Sequence, residues 1–457
     1  MTTNADRPIH FVGIAGAGMS GLAELLIRRG IKVSGCDSSA AGSPDLERLG
    51  IHVTHGHDPS HVEGAAEVIV TSAMKRDHVE LARARELGIP VTRRAEALGR
   101  AVSVGKVVAV AGTHGKTTTT VMTTQALSAA GLAPTGVAGG RVGAWNGNLS
   151  EGGESLFVVE ADEYDRSFLA LSPDIAVVTN MEADHLDIYP GGIDEIRDAF
   201  AQFTGGARVI IICDDDKGAS SLPTPSTAEI IRYGTVSAEA RLVARNLEPV
   251  GGGVKFDVRY DGSELGAVTL AVPGTHNVRN ALAAIASGIA CGVTLSAMRY
   301  GLETFTGVER RFQLLGSAGG VTVIDDYAHH PTEIEATLQA ARSAFPGRRV
   351  IAAFQPHLYT RTRDFHEQFA EALAAADLVY LCDLYPARET PIEGVSAEMI
   401  AAPMRNNGRA PVWEGPRADL AAALARDVAA GDVVLTIGAG DITVCGPELL
   451  KLLAIRE

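Results

Sequence analysis

Residues 112–120 combine a glycine turn, a lysine and a run of threonines, a composition typical of a nucleotide phosphate loop. They follow the apolar residues 107–111, which predict a buried parallel strand, and they open a predicted helix. Backbone N–H groups and the positive helix N-terminus would face phosphates there, with Lys116 as point charge and the Thr117 hydroxyl on Mg²⁺. Val110 stands where a strict Walker A sequence has its first glycine. A strand-to-helix turn without a ligand is the alternative, which the adjacent lysine and threonine disfavour.

A second glycine turn, Gly16-x-Gly18-x-x-Gly21, follows a short apolar strand, and Asp37 ends the next strand. The pattern matches the dinucleotide fingerprint and by itself would indicate an NAD-dependent oxidoreductase. Any ligand with a diphosphate uses the same turn and helix N-terminus, however. Because an NAD enzyme needs no ATP cradle at residues 112–120, we expect a nucleotide-diphosphate ligand at the first turn and ATP at the second.

Acidic side chains follow two further strands of the predicted central block. Residues 160–165 come after strand 156–160, and residues 182–187 come after strand 175–179. Ligands gather at the carboxyl ends of parallel strands, and Mg²⁺ prefers oxygen ligands. His185 would be a second metal ligand or a substrate contact. Either segment alone could be a solvated acidic loop, but together, beside a phosphate loop, they predict a magnesium site.

Polar motifs recur in the last third of the chain, in residues 310–312, 325–331 and 355–363. Two of these motifs close predicted strands, which again indicates a binding edge. His329 and His330 are neighbours, and adjacent histidines rarely ligate one ion together, so we expect hydrogen bonds to substrate there.

Four further histidines are close in sequence: His52, His55, His57 and His61. No acidic or cysteine residue stands at metal-ligand spacing from them, which predicts a surface or substrate-edge position.

Composition limits the class of protein. The formal net charge of −15 over 457 residues disfavours nucleic acids and anionic membranes as partners, although a local cation cluster could still bind an anionic substrate. The five cysteines are scattered and lack CxxC spacing, which favours thiols in a reducing compartment over disulfides or zinc. We find no targeting segment and no apolar run long enough to span a bilayer, and we expect a cytoplasmic protein.

The alternation of strands and helices predicts an α/β protein of three domains. Residues 1–102 read as a Rossmann-like domain, and residues 103–306 as a P-loop ATPase-type α/β domain. The alternating, glycine-rich stretch 239–272 predicts a small antiparallel insertion in the central domain. Residues 307–457 read as a second Rossmann-like domain.

Taken in order, the motifs make the sequence resemble the Mur ligase family over nearly its whole length. They are Gly-Thr-His-Gly-Lys-Thr-Thr-Thr-Thr at 112–120, Glu-Ala-Asp-Glu-Tyr-Asp at 160–165, Asp-His-Leu-Asp at 184–187, Gly-Thr-His-Asn-Val-Arg-Asn at 274–280, Arg-Arg-Phe at 310–312, Asp-Asp-Tyr-Ala-His-His-Pro at 325–331 and Gln-Pro-His at 355–357. The last two favour the alanine-adding members. The resemblance implies an N-terminal domain for the UDP moiety, a central ATPase and a C-terminal domain that closes over ATP and the amino acid.

The resemblance also implies roles for individual residues. The implied ATP contacts are Gly112, Thr113, His114, Gly115, Lys116, Thr117, Thr118, His276, Asn277, Asn280, Arg310 and Asp326. The implied sugar-nucleotide contacts are Gly16, Ala17, Gly18, Met19, Ser20, Gly21, Asp37, Ser72, Gly139, Gly140, Asn146 and Asn148. The implied Mg²⁺ ligands are Thr117, Glu160 and His185, and the implied amino-acid contacts are Tyr327, His329 and Arg361. Lys116, His185 and His329 are the expected catalytic residues.

Two positions depart from the family pattern. Phe200 stands where other Mur ligases often carry a carbamylated lysine, so no carbamate is assigned. Leu358 stands where some members have arginine, which leaves Arg361 as the main basic residue of that loop.

The implied reaction is the ATP-dependent, ADP-forming ligation of L-alanine to the lactyl carboxylate of UDP-N-acetylmuramate through an acyl phosphate, in peptidoglycan precursor synthesis. We expect a monomer or homodimer without nucleic-acid or membrane partners. Three alternatives remain at this point: a family member that adds a tripeptide, an NAD-dependent oxidoreductase with a separate ATP site, and a non-catalytic nucleotide-binding regulator.

Overall fold

The computed structural model describes residues 7–38, 44–71, 74–75, 77–387 and 389–455. The strands are β1 Ile9–Val12, β2 Val33–Asp37, β3 Val53–His55, β4 Glu67–Val70, β5 Val91–Arg93, β6 Lys106–Ala111, β7 Thr135–Val142, β8 Gly147–Ser150, β9 Leu156–Glu160, β10 Ile175–Val178, β11 Val209–Cys213, β12 Glu229–Gly234, β13 Leu242–Val250, β14 Gly253–Tyr260, β15 Ser263–Leu270, β16 Gln313–Ala318, β17 Val321–Asp326, β18 Val350–Phe354, β19 Leu378–Cys382, β20 Trp413–Gly415 and β21 Val433–Ile437.

The helices are α1 Ala17–Arg28, α2 Pro44–Arg48, α3 Val79–Glu86, α4 Arg94–Val102, α5 Lys116–Ala129, α6 Ile193–Thr204, α7 Lys217–Ser220, α8 Thr275–Ala290, α9 Leu295–Glu303, α10 Pro331–Ala344, α11 Tyr359–Leu373, α12 Glu398–Asn406, α13 Arg417–Asp427 and α14 Cys445–Ala454. Short 3₁₀ turns cover Pro59–Val62, Gly143–Trp145, Tyr164–Ala170 and Asp441–Val444.

The first sheet is parallel, in the order β3-β2-β1-β4-β5. Side chains alternate between its faces, so Phe11 and Ile69 enter the core that includes α1. Val12 and Val68 enter a separate small core on the other face, with Leu81 of α3. The strand order leaves the glycine turn after β1 at the carboxyl edge of the sheet, where parallel α/β sheets bind ligands.

The second sheet has the order β15-β14-β13-β12-β11-β10-β6-β9-β7-β8. The strands from β13 through β7 pair in parallel, and β8 pairs antiparallel with β7. Strand β6, which leads into the phosphate loop, lies between β10 and β9, the two strands that precede the acidic segments. The predicted antiparallel insertion is present as β13–β15, joined by the tight turns at 251–252 and 261–262, and is one strand longer than a hairpin.

The third sheet has the order β16-β17-β21-β18-β19-β20 and is parallel apart from β16. Along β18, Ala352 packs into one core and Ile351 into the core on the opposite face, as expected for a sheet covered by helices on both sides. The three sheets confirm the predicted α/β class with three domains. The predicted boundaries at residues 102 and 306 stay a prediction.

By its internal contacts the chain divides into two compact units. One unit comprises Met1–Arg245, Asp257–Val268 and Arg279–Phe305; the other comprises Asn246–Phe256, Thr269–Val278 and Thr306–Glu457. All five cysteines are thiols. In the described ranges, no helix is both long and apolar enough to cross a membrane.

Candidate active site

The phosphate loop follows β6 and ends at the first residue of α5, as predicted. Gly112 has φ +140° and Gly115 has φ +79°, backbone conformations that side chains rarely adopt. Space also requires both glycines: a Cβ on Gly112 would lie 2.0 Å from Thr179 Oγ1, and one on Gly115 would lie 2.7 Å from Asn280 Oδ1. Asn280 also accepts a hydrogen bond from Thr119 Oγ1 at 3.1 Å, so helix α8 supports the loop.

The end of β10 holds the loop through backbone and amide contacts. The His114 N–H donates to Asn180 Oδ1 at 2.7 Å, and Asn180 Nδ2 donates to the His114 carbonyl at 2.9 Å. The Glu182 N–H donates to Thr113 Oγ1 at 2.9 Å. Asn180 was not predicted as a site residue, because its role depends on the pairing of β6 with β10. Thr118 is buried in the first turn of α5.

Lys116 is paired with a buried carboxylate. Its Nζ lies 2.8 Å from Glu163 Oε2 and donates to the Gly112 carbonyl at 2.7 Å. Burial alone would lower the pKa of Lys116, but the Glu163 and Asp162 carboxylates raise it, so the ammonium stays charged. Burial outweighs the attraction of Lys116 for the Glu163 carboxyl and raises the pKa of Glu163 to about 7. Glu163 was not predicted as a site residue, although it lies in the acidic segment after β9.

Two of the three predicted metal ligands are in direct contact. Thr117 Oγ1 donates to Glu160 Oε1 at 3.0 Å, which puts two oxygen atoms side by side at the start of α5. The third, His185, has its Nε2 4.0 Å from Glu163 Oε1 and 3.7 Å from Asp184 Oδ2. Hydroxyl and carboxylate oxygens are donors that suit Mg²⁺. The oxygen atoms of Thr117 and Glu160 therefore fit a magnesium ion beside the phosphate loop, whereas the contacts shown for His185 are with Glu163 and Asp184.

A cleft joins the first glycine turn to this oxygen cluster. Gly16, Gly18 and Met19 line one part of it, and Gly139 and Glu160 line another. The Gly139 N–H donates to Glu160 Oε2 at 2.5 Å, and a Cβ on Gly139 would lie 2.7 Å from Glu160 Oε1. A side chain at Gly139 would therefore displace the predicted metal ligand.

Arg94, at the start of α4, lines the same cleft. Its Nη1 would lie 2.9 Å from a Cβ on Gly18, so the absence of a side chain at Gly18 makes room for the guanidinium. Sequence reasoning missed this cation, because nothing in the local pattern links α4 to the glycine turn. It places a positive charge where a diphosphate is predicted.

Contacts near the first glycine turn place three other predicted sugar-nucleotide residues and Asp37. Asp37 Oδ2 accepts from the Ala15 N–H at 3.0 Å and so holds the glycine turn. A Cβ on Gly21 would lie 3.2 Å from Asn148 Cβ, so α1 packs closely on β8. Ser20 Oγ lies 3.5 Å from Asn148 Oδ1.

Three further residues predicted to contact the sugar nucleotide lie in α1 or near β7 and β8, and a fourth lies outside the described residues. Ala17 begins α1. Gly140 is close enough to the phosphate loop that its Cβ would lie 3.5 Å from Thr117 Cγ2. Asn146 has φ 55°, in the left-handed region. Ser72 lies outside the described residues.

In the unit that contains the third sheet, Arg310 is held in one orientation. It has φ 59°, its Nη2 donates to the Gly438 carbonyl at 2.6 Å, and its Nε lies 3.1 Å from Asp325 Oδ2. Its guanidinium lies over the Tyr327 ring at 4.8 Å from the centroid. Burial raises the pKa of the adjacent Asp326 to about 6, while hydrogen bonds from backbone N–H groups oppose the rise.

His329 lies in a row of rings. Its Nδ1 is 2.9 Å from the Tyr327 carbonyl, which fixes the ring orientation, and its ring meets Tyr327 edge-on at 5.3 Å. His357 follows at 6.3 Å, and Tyr385 stacks on His357 at 5.8 Å. His357 stood in the Gln-Pro-His motif without an assigned role, and Tyr385 was missed because only the parallel pairing of β18 with β19 brings it there.

The remaining predicted residues of this unit lie at the ends of helices. Asn277 Nδ2 donates to the Pro273 carbonyl at 2.7 Å, and a Cβ on Gly274 would lie 2.6 Å from His276 Cε1. Arg361 is 6% exposed in the first turn of α11. Leu358, just before that helix, has φ 72°, which costs a non-glycine residue about 1–3 kcal/mol.

Phe200, at the position of the family's lysine, is buried against Phe168 with ring centroids 5.1 Å apart. It is a core residue, in agreement with the absence of an assigned carbamate.

The prediction for the histidine cluster was wrong for two of its members. His52 and His55 are exposed, as expected. His61 Nδ1, however, lies 2.9 Å from Glu80 Oε1, and His57 Nδ1 lies 3.4 Å from Cys36 Sγ. Both partners are distant in sequence and reach the histidines only because β2 and α3 meet on one face of the first sheet.

Three family models cover most of the chain. They are the Mur ligase family catalytic domain at residues 8–105, the Mur ligase middle domain at 110–288 and the Mur ligase glutamate ligase domain at 310–440. The chain is 45% identical over 459 residues to a UDP-N-acetylmuramate–L-alanine ligase of Laribacter hongkongensis, with 98% of both chains covered. It is 43% identical over 450 residues to one of Geobacter sulfurreducens, with 97% of both covered. The crystal structure of UDP-N-acetylmuramate-alanine ligase from Thermotoga maritima superposes with a TM-score of 0.84 at 29% identity, covering 99% of this chain and 100% of that one.

Proposed function

The chain belongs to the Mur ligase family, and on that basis we infer that it joins L-alanine to UDP-N-acetylmuramate at the expense of ATP, in peptidoglycan precursor synthesis. One observation carries the mechanism. The glycine turn of the first domain and Glu160, in contact with the phosphate-loop residue Thr117, line the same cleft. A sugar nucleotide held at that turn can bring its carboxylate to the terminal phosphate of ATP.

In the first step the lactyl carboxylate attacks the γ-phosphorus, the bond to the β-phosphate oxygen breaks, and ADP leaves. Negative charge spreads over the phosphoryl oxygens, and Lys116 neutralises part of it. To do so, the Lys116 ammonium turns from Glu163 to the nucleotide. The product is an acyl phosphate of the sugar nucleotide.

In the second step the amine of L-alanine attacks the acyl carbon and inorganic phosphate leaves. We assign His329 to accept the proton that the amine loses, because contact of its Nδ1 with the Tyr327 carbonyl fixes the orientation of the imidazole ring. Tyr327 and Arg361 complete the proposed amino-acid site. Exclusion of water from the site preserves the acyl phosphate.

Magnesium is the proposed metal. Thr117, Glu160 and His185 would hold it, and it would supply charge neutralisation at the phosphate oxygens. The proposed ATP contacts from α8 are Asn277 and Asn280, with His276 beside them. A cytoplasmic protein that is a monomer or homodimer remains our proposal for its location and assembly.

Phosphate release from ATP in the presence of Mg²⁺ tests the function. We expect release that requires both UDP-N-acetylmuramate and L-alanine. Lys116→Ala should abolish it, whereas Lys217→Ala, which removes an exposed lysine on α7, should not. Release that requires the sugar nucleotide but prefers a tripeptide to alanine would overturn the acceptor assignment. Full activity of Lys116→Ala would overturn the assignment of the phosphate loop.

A further inference from the structure

A second group of ligand-type side chains lies in the first domain, on the face of the sheet opposite α1. His10 comes from β1, Cys36 from β2, His57 from the loop after β3 and Glu80 from α3. His10 is 2% exposed, and Cys36 and Glu80 are 0% exposed. Cys36 belongs to the small apolar core around Val12. The reaction proposed above uses none of these four side chains.

The ligand atoms of Cys36, His57 and Glu80 lie 3.1–3.6 Å apart, close to the separations of ligands on one metal ion. Cys36 Sγ is 3.1 Å from Glu80 Oε1 and 3.4 Å from His57 Nδ1, and that nitrogen is 3.6 Å from the same Glu80 oxygen. A tetrahedral zinc ion with bonds of 2.0–2.3 Å keeps its ligand atoms about 3.3–3.7 Å apart. A His10 ring nitrogen also lies within 4.8 Å of ligand atoms of Cys36 and Glu80.

His10 is oriented as a metal-binding imidazole. Its Nδ1 lies 3.0 Å from Ser34 Oγ, a contact that fixes the ring. Its Nε2 is buried and has no hydrogen-bond partner in the described part of the chain, which is rare for a buried nitrogen. A contact on one ring nitrogen and a buried, unpartnered second nitrogen is the arrangement that metal-ligating histidines show.

The buried charge of Glu80 favours a bound cation. A fully buried carboxylate needs a positive partner, and the ion-pair partners of Glu80 among the described residues are the imidazoles of His57 and His61. A divalent cation would balance the carboxylate and, on binding the Cys36 sulfur, would displace the thiol proton to solvent.

We propose a binding site for a thiophilic divalent metal ion, zinc first, with four protein ligands: His10, Cys36, His57 and Glu80. The contact of His61 Nδ1 with Glu80 Oε1 at 2.9 Å orients the carboxylate. Four side-chain ligands close the coordination sphere, so the site is structural rather than catalytic. It ties β1, β2 and α3 together directly below Asp37, the residue that holds the glycine turn. It is separate from the proposed magnesium site.

The test is metal uptake by the full-length protein. Chelator-treated protein is dialysed against Zn²⁺, and bound zinc is measured by elemental analysis. In parallel, Co²⁺ is added and the thiolate-to-cobalt charge-transfer band in the near ultraviolet is recorded. We expect one tightly held zinc ion per chain, a cobalt band typical of tetrahedral thiolate ligation, and a rise in the thermal midpoint with zinc. X-ray absorption should show one sulfur at about 2.3 Å and nitrogen or oxygen at about 2.0 Å.

Matched variants separate this site from adventitious binding. Cys36→Ser should remove the cobalt thiolate band, whereas Cys291→Ser, which changes a thiol in the central domain, should retain it. His57→Asn should weaken zinc binding at least tenfold, whereas His52→Asn, at an exposed histidine, should not. Circular dichroism at 20 °C would establish that each variant is folded. The absence of stoichiometric zinc in the wild type, or a cobalt band that survives Cys36→Ser, would overturn the proposal.

Discussion

Replacing Glu163 by glutamine should tighten ATP binding. In the structure the Glu163 carboxylate lies 2.8 Å from Lys116 Nζ, the charge that our mechanism gives to the phosphates of ATP. ATP must therefore compete with Glu163 for Lys116. The substitution keeps the shape of the side chain and removes its charge.

The magnitude follows from the kinds of hydrogen bond involved. A hydrogen bond to a charged group contributes about 1.5–3 kcal/mol and a neutral one about 0.5–1.5 kcal/mol. Lys116 stays charged in the variant, so the substitution removes only the contribution of the carboxylate charge, and the amide should hold Lys116 about 1–2 kcal/mol less strongly than the carboxylate does. We expect about a 5- to 30-fold lower dissociation constant for the nucleotide in Glu163→Gln at pH 8.

The effect should depend on pH with a defined sign. Because burial raises the pKa of Glu163 to about 7, the wild-type carboxyl is charged above pH 7 and protonated below it. The ratio of the wild-type to the variant dissociation constant should therefore be large at pH 8 and approach one near pH 6. Taking the ratio cancels proton uptake by the nucleotide itself.

Calorimetric titration of both proteins with a non-hydrolysable ATP analogue and Mg²⁺ measures this ratio. Glu86→Gln, at a carboxylate 66% exposed on α3, controls for the change in net charge. Equal or weaker binding by Glu163→Gln at pH 8 would refute the competition between Glu163 and ATP for Lys116. A ratio independent of pH would refute the titration of Glu163 near neutrality.

Three further predictions concern single side chains. Thr117→Val should lower kcat roughly 10²-fold in the phosphate-release assay, because it removes a hydroxyl that is proposed to bind the metal ion. The control Thr120→Val should leave kcat near wild type, since that buried hydroxyl has no hydrogen-bond partner in the described residues. Burial alone would raise the pKa of Asp215, but hydrogen bonds led by those from Thr235 lower it to about 2, so the carboxylate stabilises the fold above pH 3.8 and less as the pH falls towards 2. Asp215→Asn should therefore reduce the free energy of unfolding, measured in urea, by about 1–2 kcal/mol at pH 7 and by less at pH 2.5. Equal losses at both pH values would contradict this assignment. Arg310→Ala should lower the free energy of unfolding in urea by about 3 kcal/mol, because it removes the cation from the buried Asp325 carboxylate. A loss under 1 kcal/mol would show that hydroxyl donors alone satisfy that carboxylate.

Features that depend on neighbouring residues were predictable from the sequence. The phosphate loop consists of a strand, a glycine-containing turn and the first turns of a helix within residues 106–120. Glycine favours the positive φ angles that the structure shows at Gly112 and Gly115, so these angles could be predicted. Strands β6, β9 and β10 follow from local hydrophobic runs, with ends shifted by one residue at most. The order of the motifs was enough to identify the family, because each motif binds its ligand through a short segment.

Contacts between distant segments were decided by the tertiary structure. The pairing of Lys116 with Glu163 depends on β6 lying next to β9, and hydrophobic patterns do not encode strand order. The position of Arg94 in the cleft depends on where α4 packs. The grouping of Cys36 with Glu80 unites residues 44 positions apart, and only the parallel pairing of β1 with β2 and the packing of α3 brings them within 3.1 Å. The sequence by itself therefore determined which chemistry this protein carries, whereas the fold decided which charges meet, because burial and charge pairing depend on neighbours that only the assembled sheets supply.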